Sequence, residues 1–184
     1  MNRYAGLTLG EARAQFHALH GMPADGGYAA PWWSMRLGWL RISLPNFSWR
    51  RQAVPRHDLH HILTGFPCSP AGEMQMAAWE FAAGRYPHPL ATAFCLPLVG
   101  VGALLFPRRT FGAFLQGRRS ATLYRQPVDD DLLATPVCEV RERLLPHTAP
   151  VASVADGAAW LGLVLISLAQ MLLPGAAILL LWLM

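Results

Sequence analysis

No lysine occurs in these 184 residues, and all 15 basic positions are arginine. Charge of either sign is scarce. It makes up 14% of the chain, against about 25% in an average soluble domain, while hydrophobic residues make up 53%. That deficit points to a membrane or lipid-handling protein. The net charge of +4 does not signal nucleic acid. The arginines come as scattered pairs, Arg50-Arg51, Arg108-Arg109 and Arg118-Arg119, with no basic stripe interleaved with aromatics. Pairs beside apolar runs suit phosphate head groups. Cysteine is nearly missing too. Cys68, Cys95 and Cys138 are odd in number, far apart and without a CxxC. This excludes a disulfide framework and suits a reducing compartment. Met1 to Gly21 lacks the apolar core of a signal peptide. No repeat, low-complexity tract or strand-like alternation of useful length is read, so the expected fold class is all-α.

Charge is absent altogether from Ala158 to Met184. A helix of that length exceeds the roughly 30 Å hydrocarbon core of a bilayer. Gln170 is its one strongly polar side chain, Pro174 is expected to kink it, and Trp160 and Trp182 sit near its ends, where interfacial tryptophans are usual. The expected division is a helical body over 1–150 and a membrane anchor over 151–184. Arginines precede the anchor and none follows, which puts the body on the cytoplasmic side.

Within the body, Leu9 to His20 reads as a helix. The stretch PWWSMRLGWLRISLPNFSWRR, with Trp32, Trp33, Trp39 and Trp49 among arginines, suits either a membrane-interface surface or an amphipathic helix on the core. A helix is expected from Pro55 and His57 to Thr64, stopped by Gly65. A second starts at Ser69-Pro70 and runs to Gly84, giving a helical hairpin. The uncharged run from Pro89 to Pro107 is interrupted by Pro97, Gly100 and Gly102. It is expected to be a broken, buried helix lining an apolar cavity, with a transmembrane helix as the other reading. Thr110 to Tyr124 reads as helical. Asp129-Asp130-Asp131 should cap a last soluble helix, interrupted at Pro136.

Imidazole and carboxylate are concentrated in HDLHHILTGFPCSPAGE. His57 and His61 are i and i+4, so both rings lie on one helical face, and Asp58 borders it. Glu73 falls in the first turn of the next helix. Two imidazoles with one or two carboxylates suit zinc, with iron, manganese and cobalt as other candidates. The bland alternative is a polar helix end. His60 points to another face, either supporting the site from behind or touching solvent. Glu80, two turns after Glu73, is a supporting carboxylate or an exposed one. Arg118 and Arg119 could steer an anionic head group, or form a solvated turn. The dipeptide His57-Asp58 also occurs in HD phosphohydrolases, in which reading His17 or His20 and Asp129 would complete the set. That reading leaves His61 and Glu73 unexplained.

The pattern His-Asp, two residues, His, eleven residues, Glu resembles the signature of the coenzyme Q biosynthesis protein four family, matching at His57, Asp58, His61 and Glu73. AAWEFAAG and the stretch from Phe111 to Leu144 resemble that family's later helices, so the likeness covers about Leu44 to Leu145. The resemblance implies an all-helical protein that binds a divalent metal, usually zinc, through those four residues. It implies action in ubiquinone synthesis on a polyprenylated benzoate-derived ring, removing the ring carboxylate with hydroxylation at that carbon. A non-catalytic, lipid-binding scaffold for other quinone-biosynthesis enzymes is the contrasting implication. The expected setting is a bacterial inner membrane. The family attaches peripherally, so the apolar tail after Pro150 is a departure.

Overall fold

Thr8 opens the first helix for a local reason. Its hydroxyl accepts from the Glu11 N–H, and the Glu11 carboxylate accepts from the Thr8 N–H, a reciprocal cap that satisfies two otherwise orphaned donors. The computed structural model describes residues 3–37, 40–84 and 86–183. Those residues are 64% helix and 6% strand. In chain order they form α1 (Leu9–Leu19), β1 (Trp32–Leu37), β2 (Leu40–Pro45), α2 (Ser48–Thr64), α3 (Pro70–Ala83), α4 (Pro89–Leu105), α5 (Pro107–Gly117), a 3₁₀ turn (Leu123–Arg125), α6 (Asp130–Ala134), α7 (Val137–Leu144) and α8 (Val154–Leu183).

The chain divides into two compact units. The first holds Met1–Gly65 and Leu123–Arg143, the second Phe66–Thr122 and Leu144–Met184. In the first, α1 packs on α2 and α6, with Leu9, Ala12, Phe16, Leu59, Ile62 and Leu63 buried. The segment before α1 is tied to the start of α7 by the Val137 N–H, which donates to the Leu7 carbonyl. Asp129 caps α6 by accepting from the Leu132 N–H, as the aspartate run predicts.

The expectation of no strands is wrong. β1 and β2 form an antiparallel hairpin in which Trp33 pairs with Leu44, Ser34 with Ser43 and Met35 with Ile42. Exposed Arg41 and Ser43 alternate with half-buried Ile42 and Leu44, the period-two pattern of a strand with one covered face. Arginines and tryptophans at short spacing mask that period in the sequence. Part of this mixture is internal. Arg50 lies 4.2 Å over the Trp33 ring and donates to the Asn46 side chain, a cation–π contact rather than a lipid one. Trp39 and the side chain of Trp182 lie outside the described residues.

α2 begins at Ser48, not at Pro55, which sits inside it. Pro55 removes one helical hydrogen bond, to the Arg51 carbonyl, and its ring crowds that carbonyl, yet the helix continues through it. It ends as expected at Gly65, in the left-handed conformation with φ 78°, which a side chain would strain. α3 starts at Pro70 behind Ser69, whose hydroxyl accepts from the Gly72 N–H.

In the second unit α3 lies against α5 and α4, and α4 against α8. Met76, Trp79, Ala113 and Phe114 form the buried core, with Trp160 of α8 packed on it. Gly117 permits the close approach of α5 to α3, since a Cβ there would lie 2.3 Å from the Trp79 carbonyl oxygen.

α4 is one continuous helix, not a broken one. Pro97 has no N–H to offer the Ala93 carbonyl four residues back. The Gln170 side-chain amide of α8 donates to it instead, at 2.6 Å. One turn on, the Ser167 hydroxyl donates to the Leu96 carbonyl and accepts from the Gly100 N–H. Gly100 is not a break but a contact point, where a Cβ would meet the Ser167 hydroxyl at 2.6 Å. α8 carries on through Pro174 to Leu183. Its stretch Val154–Leu172 is long and apolar enough to cross a membrane.

Candidate metal centre

α2 places His57 and His61 one turn apart, with ring centroids 4.7 Å apart and nearly perpendicular. Their Nε2 atoms lie 3.1 Å from each other. Two imidazole nitrogens on one tetrahedral zinc would be separated by roughly 3.3 Å, given zinc–nitrogen bonds of about 2.05 Å. The same spacing serves an N–H···N hydrogen bond, which uses the lone pair a metal would take. Phe16 of α1 stacks on the His61 ring at 5.9 Å and fixes its plane.

Glu73 stands in the first turn of α3, where the helix dipole favours a carboxylate. One ligand atom each from His57, His61 and Glu73 all lie within 4.8 Å of one another, a group able to hold a metal ion. The donor chemistry is nitrogen and oxygen, as zinc accepts. Among the described residues no other group of this kind forms.

Asp58 is not in that group. Its carboxylate turns toward α1 and the loop after it. The Tyr28 hydroxyl donates to Asp58 Oδ2 at 2.6 Å, and His17 Nε2 lies 3.2 Å from the same oxygen. His17 Nδ1 faces the Ala24 carbonyl at 3.2 Å, which can only accept. Both ring nitrogens therefore serve best as donors, the state of an imidazolium. The hydrogen bond to Asp58 accordingly raises the His17 pKa, against the opposing effect of burial. Burial, then the Asp58 charge, push the Tyr28 hydroxyl far up, so it stays a donor.

A second layer holds this trio. Asn46, itself buried, donates through its amide to the Tyr28 and Ala30 carbonyls and so shapes the loop that carries Tyr28. Gly26 has φ 69°, and a Cβ there would strike the Tyr28 ring at 2.5 Å and His17 at 2.9 Å. Sequence reasoning missed Tyr28 and Asn46. Tyr28 meets Asp58 30 residues on and His17 11 residues back, and Asn46 reaches the Tyr28 and Ala30 carbonyls 18 and 16 residues back, separations that no helix or strand period links.

The remaining candidates divide. His60 does not touch solvent, as one reading had it. It is fully buried, and its Nε2 accepts from the Leu123 N–H at 2.9 Å. Tyr124 meets its ring edge-on. Glu80 is not an exposed helix carboxylate either. It is fully buried and accepts a hydrogen bond from the Tyr86 hydroxyl. Arg118 and Arg119 bracket the Asp156 carboxylate at 3.3 and 2.8 Å. They tie the start of α8 to the end of α5. Asp129, needed by the phosphohydrolase reading, serves as the α6 cap, although His17 does reach Asp58. Comparison of the chain with known protein families, with curated proteins and with solved structures finds no match.

Proposed function

We propose that this chain is a membrane-attached, zinc-type metalloprotein of ubiquinone biosynthesis. Its substrate would be a polyprenylated benzoate-derived ring, from which it removes the ring carboxylate with hydroxylation at that carbon. The observation that carries the reading is the convergence of His57, His61 and Glu73, at positions that resemble the signature of the coenzyme Q biosynthesis protein four family. Bound there, a divalent metal would supply Lewis-acid polarisation to the ring carboxylate or a neighbouring ring oxygen. His57 and His61 would hold it through Nε2 and Glu73 through a carboxylate oxygen. Phe16 keeps the His61 ring oriented. Hydroxylation requires an oxidant such as dioxygen, which the chain's own residues do not replace.

The engagement of Asp58 with His17 and Tyr28 favours the enzyme over the scaffold. Four protein ligands close a structural site, whereas three leave a position open for water or substrate. The apolar α4 suits the prenyl tail, and the span of α8 suits attachment to a bacterial inner membrane with the body on the cytoplasmic face.

The test uses the full chain purified in detergent. Metal is quantified per chain in the parent protein and in His61→Ala and Glu73→Ala, and carboxylate loss is followed on a prenylated ring acid. The expected result is near-stoichiometric metal and turnover in the parent and loss of both in the variants. Clean, folded protein without metal would sink the site. Stoichiometric metal without turnover would leave only the scaffold.

A further inference from the structure

We propose that α4 is immersed in the bilayer hydrocarbon beside α8, so that the two helices enter the lipid as one packed pair. This rests on the membrane reading of α8, and adds a second element that the apolar tail by itself does not announce.

Three observations carry it. The first is exposure. Leu90, Phe94, Leu104 and Leu105 of α4 are exposed, as are Leu165 and Leu172 of α8. On α4 these positions, with half-buried Pro97 and Val101 between them, fall at steps of three and four residues. They form one stripe opposite the side that packs on the core. Contiguous apolar surface of this kind marks a lipid or protein contact.

The second is charge. No charged residue lies between Pro89 and Pro107, and the run ends on the exposed pair Arg108-Arg109. Long basic side chains at the end of an apolar helix can reach for the interface.

The third observation argues against water on this face, and with the membrane-length α8 packed beside it the occupant is lipid. Pro97 leaves the Ala93 carbonyl without its helical donor. Ala93 is exposed, and in water an exposed carbonyl is satisfied by solvent. Here the Gln170 amide supplies the bond, although it is the one strongly polar side chain of an uncharged tail. Internal satisfaction of a freed carbonyl is what hydrocarbon demands. One turn along, the buried Ser167 hydroxyl bridges the Leu96 carbonyl and the Gly100 N–H, a second polar contact between the two helices.

The test places single nitroxide labels on the full chain, through cysteines introduced at Phe94, Leu104, Leu165 and Arg108 after replacing Cys68, Cys95 and Cys138. The protein is reconstituted in phosphatidylethanolamine–phosphatidylglycerol vesicles, and collision with dissolved oxygen is compared with collision with a water-soluble nickel chelate. Immersion predicts that labels at Phe94 and Leu104 match Leu165, rich in oxygen and at least several-fold poorer in nickel collisions than Arg108. Nickel access at Phe94 and Leu104 equal to that at Arg108, with Leu165 still protected, overturns the proposal while leaving α8 in the membrane. Water access at Leu165 as well fails the reading of α8. Protection at Leu104 that disappears on dilution of protein into excess lipid would assign the face to a second copy of the chain, and also overturns it.

Discussion

Asp58 and His61 sit three residues apart on the same helix and do different work. His61 presents Nε2 toward His57, while Asp58 is spent on Tyr28 and His17. On the proposed metal reading, Asp58→Asn should therefore keep most of the metal the parent chain takes up, yet lower stability by about 1–3 kcal/mol, the range for weakening a buried charged hydrogen bond. His61→Ala should lose the metal. Metal content and thermal unfolding on the same samples separate the two, and equal metal loss in both variants would return Asp58 to the ligand set. His17 adds a pH signature. Folding raises its pKa through Asp58. Its contribution is then full below the ordinary imidazole value of about 6.5 and fades as pH rises through the higher folded value. Denaturation followed across that window should show stability falling with rising pH, and His17→Gln should flatten the slope.

At the scale of elements, the pairing of α4 with α8 makes an asymmetric prediction. If Ser167 is removed, the Gly100 N–H can close on the Leu96 carbonyl, because both belong to the same helical rung. If Gln170 is removed, nothing in α4 replaces it, because Pro97 has no N–H. Gln170→Ala should then cost about 1 kcal/mol in a bilayer, and Ser167→Ala less in its polar part. Unfolding of reconstituted protein compares them, and a reversed order would discredit this account of the clamp. The α3–α5 contact predicts a steric effect instead. Gly117→Ala drives a methyl into the Trp79 carbonyl and should destabilise by roughly 1–3 kcal/mol, visible as a lowered melting temperature with the secondary structure retained.

For the whole molecule, the two-part description of body and anchor must accommodate what α8 does. Trp160, Leu163 and Val164 pack on Ala77, Leu96 and Val99, and Asp156 binds Arg118 and Arg119. Deletion after Pro150 would expose that apolar surface and remove the carboxylate that both guanidinium groups bind. The truncated chain should aggregate or melt well below the full chain in detergent, as light scattering would show. A monodisperse truncated chain with unchanged melting would mean that α8 is only an anchor.

Local rules carried far in this sequence. The start of α3 at Ser69-Pro70, the stop of α2 at Gly65 and the cap of α6 at Asp129 each depend on a residue and its near neighbours, so each was legible. The same holds for the ring pair His57 and His61, which helical geometry alone puts on one face. The apolar tail was legible because it depends on composition. The β-hairpin was not, since its alternation gains meaning only when one face is covered. The fate of Asp58 was decided by Tyr28 and His17, that of Glu80 by Tyr86, and that of Gln170 by a carbonyl freed 77 residues earlier. A carboxylate or an amide has the same spacing whether it meets a metal, a phenol or a backbone oxygen. Burial forces each polar group to find a partner, and only the tertiary fold says which partner is within reach.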